Sequence, residues 1–192
     1  MRRSYSMRGV LGAAERAVQL SRAYLEWRAP GSLIHDVQLD PRFQHRGVDL
    51  LWERSASDVV GVEVKGDRQG RRGNYFFELV SNLEKDTPGC FLYSVADAYL
   101  YAFLDLGEVH HLPMPATREW FLSRAKEFPL RRTRTRMGAA TYTTVGALVP
   151  VTELLRAVDG ASRYRVTDAD QVVPIPLRPA RTRPRQALPV SK

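Results

Sequence analysis

The sequence predicts an α/β fold, in which helices flank a β-sheet, and three observations support this prediction. Apolar residues recur at helical spacing over residues 12–27, and the pair Pro30-Gly31 would end this helix. The apolar runs 48–52 and 59–64 flank a polar turn, which is typical of a β-hairpin. Further strand-like and helical segments follow as far as residue 158.

The remaining elements are predicted from the same patterns, which are alternation for strands and 3.6-residue spacing for helices. The predicted strands are 33–39, 48–54, 58–66, 74–82, 99–106, 108–112 and 141–149, with a helical turn at 94–98 and helices at 117–128 and 150–158. We expect a basic N-terminal arm at 1–9, one folded domain at 10–160, and a Pro- and Arg-rich, disordered tail at 161–192.

The composition is that of a basic protein large enough for one core. The 192 residues are 44% hydrophobic, and the formal net charge is +8. Residues 174–192 of the tail hold five positive charges and no acid, namely Arg178, Arg181, Arg183, Arg185 and Lys192. A basic chain indicates a polyanionic partner, most often nucleic acid, although a merely solvated basic protein has the same composition.

The sequence also predicts a compartment. It holds no apolar run near 18 residues and no continuous apolar segment behind its basic N-terminus, so we expect neither a membrane partner nor a secretory signal. Cys90 is the single cysteine, which allows no internal disulfide and fits a reducing, cytoplasmic location. We interpret Cys90 as a small buried residue rather than a catalytic thiol.

The hairpin carries charged residues in a pattern that packing alone does not explain. Asp49 lies at the start of the first run, and Glu63 and Lys65 lie at the end of the second. Because side chains alternate along a strand, Glu63 and Lys65 share one face, while Val62 and Val64 point into a core. A carboxylate and an ammonium on one face of an apolar strand cost desolvation free energy, which favours a functional role.

Carboxylates on adjacent strands can converge on one hard divalent cation. Mg²⁺ prefers oxygen ligands and usually takes one or two protein carboxylates, here Asp49 and Glu63, with the backbone carbonyl of Val64 as a further oxygen. Lys65 would lie beside the metal-bound water, where it could help to deprotonate or orient that water and stabilise charge on the phosphate. Glu15 on the first helix could join the site directly or through water; as an alternative, it is simply an acid favoured near a helix N-terminus.

This arrangement resembles the PD-(D/E)xK nuclease superfamily over roughly residues 10–112. Val48-Asp49 corresponds to the "PD" element, with valine in place of proline, and Glu63-Val64-Lys65 corresponds to "(D/E)xK". The segment 12–16 is similar to the first helix of the Holliday-junction-resolvase-like branches, and the segments 73–78 and 96–99 are similar to small phage or mobile-element nucleases. The resemblance implies a restriction-endonuclease-like αβββαβ core with a mixed central sheet flanked by helices. It also implies Mg²⁺-dependent phosphodiester hydrolysis, with Mn²⁺ as a possible substitute.

Basic segments outside the hairpin are candidates for nucleic-acid contacts. We predict this role for arginines of a glycine-rich loop and of a later run: Arg68, Arg71, Arg72, Arg131, Arg132, Arg134 and Arg136. Solvated turns and charge runs are the alternative interpretation. Glu78 is either an accessory acid on the active face or a strand residue paired with an arginine.

These observations favour a Mg²⁺-dependent DNA endonuclease with Asp49, Glu63, Lys65 and Glu15 as catalytic residues. Cutting both strands of a duplex needs two active sites, so a homodimer is plausible. A non-catalytic DNA-binding or assembly protein on a nuclease-like fold, and an RNA-directed nuclease, are the alternatives.

Overall fold

The computed structural model describes residues 4–5, 7–137 and 140–177. The helices are α1 (Met7–Arg28), α2 (Pro41–Gln44), α3 (Cys90–Tyr93), α4 (Met114–Arg124) and α5 (Val151–Ala157). The strands are β1 (Ser4–Tyr5), β2 (Leu33–Asp36), β3 (Leu50–Ser55), β4 (Asp58–Asp67), β5 (Asn74–Asn82), β6 (Thr87–Pro88), β7 (Ala98–Phe103), β8 (Glu108–Pro113), β9 (Leu130–Met137), β10 (Ala140–Pro150), β11 (Ser162–Val166) and β12 (Val172–Pro174).

The strands form two sheets. The larger sheet has the order β12-β11-β8-β7-β4-β3-β2, and the smaller sheet has the order β1-β9-β10-β5-β6. In the larger sheet β4 and β7 are parallel and the other neighbours are antiparallel. The predicted α/β class with a mixed central sheet flanked by helices is therefore confirmed.

Helix α1 covers one face of the larger sheet. Its buried residues Ala17, Leu20, Tyr24 and Leu25 recur at helical spacing and share a core with Leu50, Val62, Leu100 and Ala102. The contact is close at Gly66, where a Cβ atom would lie 3.1 Å from the carbonyl oxygen of Ala13 and 3.1 Å from Cβ of Ala17. The absence of a side chain at Gly66 thus sets how closely α1 approaches β4.

An aromatic core fills the space between the two sheets. Tyr99, Tyr101 and Phe103 point from β7 toward Tyr75 and Phe77 of β5, and all five side chains are buried. The intervening β7 residues Leu100 and Ala102 point into the α1 core instead. Strand β7 is therefore buried on both faces and lies in the middle layer of the molecule.

Several element boundaries differ from the prediction. Helix α1 begins at Met7, so Glu15 is not in its first turn. Strand β2 ends at Asp36 rather than at residue 39, and it is followed by the short helix α2, which Asp40 caps by accepting a hydrogen bond from the Arg42 N–H. The predicted helical turn at 94–98 lies earlier, at Cys90–Tyr93.

The predicted chain ends also differ from the structure. Strands β11 and β12 add residues 162–174 to the larger sheet, because the ring of Tyr164 packs 4.8 Å from Tyr24 and 5.3 Å from Trp27, between ring centroids, and Val166 is buried. Within the predicted arm, β1 pairs with β9. The tail charges from Arg178 to Lys192 lie outside the described residues. No helix in the described part of the chain has the length and hydropathy needed to span a membrane.

Candidate active site

The candidate site lies where β3 separates from β4. The antiparallel ladder between these strands starts at the pair Leu50 and Val62, while β4 continues to Asp67 beside β7. Just before the ladder, the N–H of Asp49 donates to the carbonyl oxygen of Val62 at 2.8 Å, and the carbonyl of Asp49 accepts a hydrogen bond from Val37 at 2.9 Å. The backbone of Asp49 is therefore fixed at the point of separation.

The Asp49 side chain lies beside β4 beyond the start of β3, where no residue of β3 lies opposite β4. Its Oδ2 atom accepts a hydrogen bond from the N–H of Val64 at 2.8 Å, so a carboxylate replaces a strand carbonyl as the partner of β4. Burial raises the pKa of Asp49, and the charge of Asp36 raises it further, although the Val64 hydrogen bond and the Lys65 charge act in the opposite direction.

Glu63 is the second carboxylate of the site, and its side chain is buried. Burial raises the pKa of Glu63 to about 8, and the neighbouring Asp49 charge contributes in the same direction, against the opposing effects of Lys65 and Cys90. Two neighbouring acids whose pKa values are both raised, mainly by burial, are a frequent property of cation-binding and catalytic sites.

Lys65 lies on the same face of β4 as Glu63, as the alternation predicted. Its Nζ atom lies 3.1 Å from Oε2 of Glu78, which comes from β5 of the other sheet. Burial lowers the pKa of Lys65, but the charge and hydrogen bond of Glu78, with Cys90 and Glu63, raise it overall. Glu78 therefore faces the site and pairs with Lys65 rather than with an arginine.

Two residues of this face were missed by the sequence prediction. Oδ2 of Asp67 accepts a hydrogen bond from the hydroxyl of Tyr101 at 2.7 Å, and its Oδ1 atom accepts one from the N–H of Gln69 at 2.8 Å. The Tyr101 hydroxyl in turn accepts a hydrogen bond from the N–H of Phe76 at 2.9 Å. The spacing of Glu63, Lys65 and Asp67 by two residues was the available signal for Asp67, whereas the contact with Tyr101 depends on strand pairing.

A cleft of about 510 Å³ adjoins the site, between α1, the end of β4 and the smaller sheet; we call it the basic cleft. Three of the predicted arginines line it, namely Arg68, Arg72 and Arg131. Lys65 and Glu78 also line it, whereas Asp49 and Glu63 do not, and Val64 and Lys65 connect the carboxylates to the cleft. The carboxylates thus lie at its edge rather than inside it.

The other predicted arginines lie elsewhere. The run 131–136 belongs to β9, where Thr133 and Thr135 line the basic cleft together with Arg131. Arg132, Arg134 and Arg136 alternate with these residues, and none of them lines the cleft. Arg71 is exposed in the loop, and its backbone N–H donates to Oδ2 of Asp105 at 3.2 Å.

Glu15 is the one predicted catalytic residue that the structure does not bring to the site. It is exposed on α1, and although Ala14 and Val18 line the basic cleft, Glu15 does not. Cys90 lies next to the site, with its Sγ atom 3.6 Å from the hydroxyl of Tyr99. Burial raises the pKa of the Cys90 thiol to about 12, which keeps it protonated and poorly nucleophilic at neutral pH.

The donor set of the site is small for a divalent cation. Within the described ranges, no group of three or more His, Cys, Asp and Glu side chains has the arrangement of a metal site. Two carboxylates with a backbone carbonyl are nevertheless compatible with Mg²⁺, which keeps several waters and needs few protein ligands. A cation there would also relieve the repulsion between Asp49 and Glu63.

Comparison with known proteins gives no further assignment, since no protein-family model, curated protein or solved structure matches the chain. The fold and the site define an α/β protein with a carboxylate pair and a lysine at a strand edge, beside a cleft lined with arginine.

Proposed function

We propose that this protein is a Mg²⁺-dependent nuclease that hydrolyses phosphodiester bonds of DNA, with endonuclease action as the form to test first. The observation that carries the proposal is the pairing of Asp49 and Glu63 at the separation of β3 and β4, with Lys65 on the same face. This combination supplies acidic ligands and a cation for a phosphate within one short segment.

The order of elements supports a restriction-endonuclease-like interpretation of the core. Helix α1 is followed by β2, β3 and β4, which pair antiparallel in sequence, and then by α3 and β7. This corresponds to the αβββαβ order that the resemblance implies, with the short helix α2 inserted between β2 and β3, and β5 and β6 inserted before α3. Strand β7 lies parallel to β4, which makes the sheet mixed.

In the proposed mechanism, Asp49 and Glu63 would hold the cation together with the carbonyl of Val64. Bound Mg²⁺ would supply activation of a water nucleophile and polarisation of the phosphate, and Mn²⁺ would substitute for it. The Val64 N–H holds Oδ2 of Asp49, which fixes the orientation of that carboxylate before a cation binds.

Lys65 would stabilise negative charge on the scissile phosphate. Because Glu78 keeps Lys65 protonated, the lysine acts as a cation and orienting donor rather than as the base that removes a proton from water. Arg72 and Arg131 would bind flanking phosphates in the basic cleft.

The test is cleavage of linear duplex, single-strand, flap and four-way-junction DNA, and of RNA, with Mg²⁺ or Mn²⁺. Asp49→Asn and Glu63→Gln remove the charges at almost unchanged size, and the asparagine still offers an oxygen to the Val64 N–H. We expect both variants to lose cleavage and keep DNA binding, and we expect Lys65→Met to lose roughly 10²- to 10³-fold in rate. Glu119→Gln, an exposed carboxylate of α4, is the matched control.

Three results would contradict the proposal. Wild-type cleavage rates in both acid variants would reject the site. DNA binding with no cleavage of any substrate would identify a non-catalytic binding protein. Preferential cleavage of RNA would show that the substrate is RNA and not DNA.

A further inference from the structure

The basic cleft has the volume of a pocket that encloses a small ligand. Specific duplex interfaces cover about 1,000–2,500 Å² of protein surface, whereas pockets of about 300–1,000 Å³ enclose small ligands. The cleft, at about 510 Å³, falls in the second class. A cavity of this volume encloses a group the size of a small ligand, and a base with its phosphate is a group of that class.

The walls of the cleft are held at a fixed separation. On one side, α1 packs closely on β4 at Gly66, where an added Cβ would lie 3.1 Å from the carbonyl oxygen of Ala13 and 3.1 Å from Cβ of Ala17. On the other side, the Lys65–Glu78 pair joins the two sheets, and the Tyr101 hydroxyl bridges Asp67 of β4 and the N–H of Phe76 of β5. Widening the cleft to admit a duplex would break these contacts, so its width is largely set before binding.

The chemistry of the lining matches a single strand. Arg72 and Arg131 offer charge to phosphates, and Phe76 and Tyr142 offer rings for stacking. The ring of Phe76 lies over Gly146, where an added Cβ would come within 2.5 Å of its Cζ atom, so packing fixes the position of this ring. The acids of the lining are engaged, since Glu78 pairs with Lys65 and Asp67 accepts from Tyr101.

We propose that the basic cleft binds an unpaired DNA strand, with phosphates on Arg72 and Arg131 and a base against Phe76 and Tyr142. The inference rests on the proposed function in that it names the substrate class of the same site: a single strand, or the unpaired part of a flap or junction. The cleft leads past Lys65 to Asp49 and Glu63, so the strand that enters it is the strand presented for cleavage.

The test measures binding without catalysis. Fluorescence anisotropy in EDTA compares a labelled single strand with its blunt duplex, using the wild-type chain and the variants Tyr142→Ala and Tyr142→Phe. We expect the wild type to bind the single strand more tightly, Tyr142→Ala to weaken single-strand binding by about 5- to 150-fold, and Tyr142→Phe to restore it, because the ring alone is needed for stacking. Leu122→Ala, which removes an exposed apolar side chain of α4 outside the cleft, should leave the affinity unchanged.

The outcomes separate this inference from the nuclease proposal. Tighter binding of the blunt duplex, or equal weakening of both ligands by Tyr142→Ala, would overturn the inference even if cleavage depends on Asp49 and Glu63. Strand-selective binding by a protein that never cleaves would reject the nuclease and keep the inference. A Tyr142→Phe variant as weak as Tyr142→Ala would reject stacking.

Discussion

Neutralising Glu63 should stabilise the metal-free protein at alkaline pH. In the folded state, burial and the Asp49 charge raise the pKa of Glu63 to about 8, whereas the unfolded chain releases this proton near its ordinary value of 4.5. Between these two pH values the folded state binds more protons than the unfolded state, so stability falls as the pH rises. In the Glu63→Gln variant the side chain at position 63 carries no charge at any pH, so this variant does not lose stability in this way.

The structure sets the size of the effect. At about 1.36 kcal/mol for each pH unit, raising the pKa from 4.5 to about 8 costs the folded state at most about 5 kcal/mol above pH 8. Relaxation and entry of water around a buried charge reduce this cost, so we expect Glu63→Gln to raise the free energy of unfolding by the order of 2–4 kcal/mol. The gain should disappear as the pH falls toward 4.5.

Urea unfolding across this pH range, in EDTA, measures the difference directly. Glu119→Gln replaces an exposed glutamate and should show no such pH dependence. Excess Mg²⁺ should stabilise the wild type by about 2.7 kcal/mol at a hundred times the dissociation constant and should stabilise Glu63→Gln much less. An unfolding profile of Glu63→Gln that parallels the wild type at all pH values would refute the burial and coupling described for this site.

Two further predictions concern the walls of the basic cleft. Arg131→Gln should weaken DNA binding and reduce the slope of log affinity against log salt by about 0.7–0.9. Arg132→Gln, on the other face of β9, should leave both quantities unchanged. Equal slopes in salt titrations of the two variants would contradict the assignment of faces. Gly66→Ala should lower the free energy of unfolding by about 1–3 kcal/mol, because the added Cβ would lie 3.1 Å from atoms of α1. Gly12→Ala has open space around the added Cβ and should be neutral or stabilising. Thermal melts of the two variants check this, and an unchanged melting temperature of Gly66→Ala would show that α1 can shift freely.

Local patterns in the sequence were enough to predict the central hairpin. Alternation alone put Glu63 and Lys65 on one face and Val62 on the other, because the two-residue period of a strand needs no tertiary information. The same period is present in residues 131–136 of β9, where arginine alternates with threonine, but the sequence prediction assigned these arginines to nucleic-acid contacts and gave no strand there.

Contacts between layers could not be predicted in this way. The partner of Lys65 is Glu78 on the other sheet. This pairing depends on how the two sheets stack, and the spacing of the two residues in the sequence does not reveal it. Strand β11 was missed because its burial comes from Tyr24 and Trp27 of α1, far away in the chain. Glu15 is the opposite case, because the similarity of residues 12–16 to a nuclease helix predicted a site residue and the structure leaves its side chain exposed, away from the site.

The double burial of β7 limits which changes in chain length the protein can accept. Glu63 is in register with Tyr99, and Lys65 with Tyr101, so β7 sets the positions of the charged residues of β4. Inserting or deleting a single residue within Ala98–Phe103 would exchange the tyrosines with Leu100 and Ala102 and disrupt both cores at once. Length variation among proteins with this site should therefore be confined to the connecting loops.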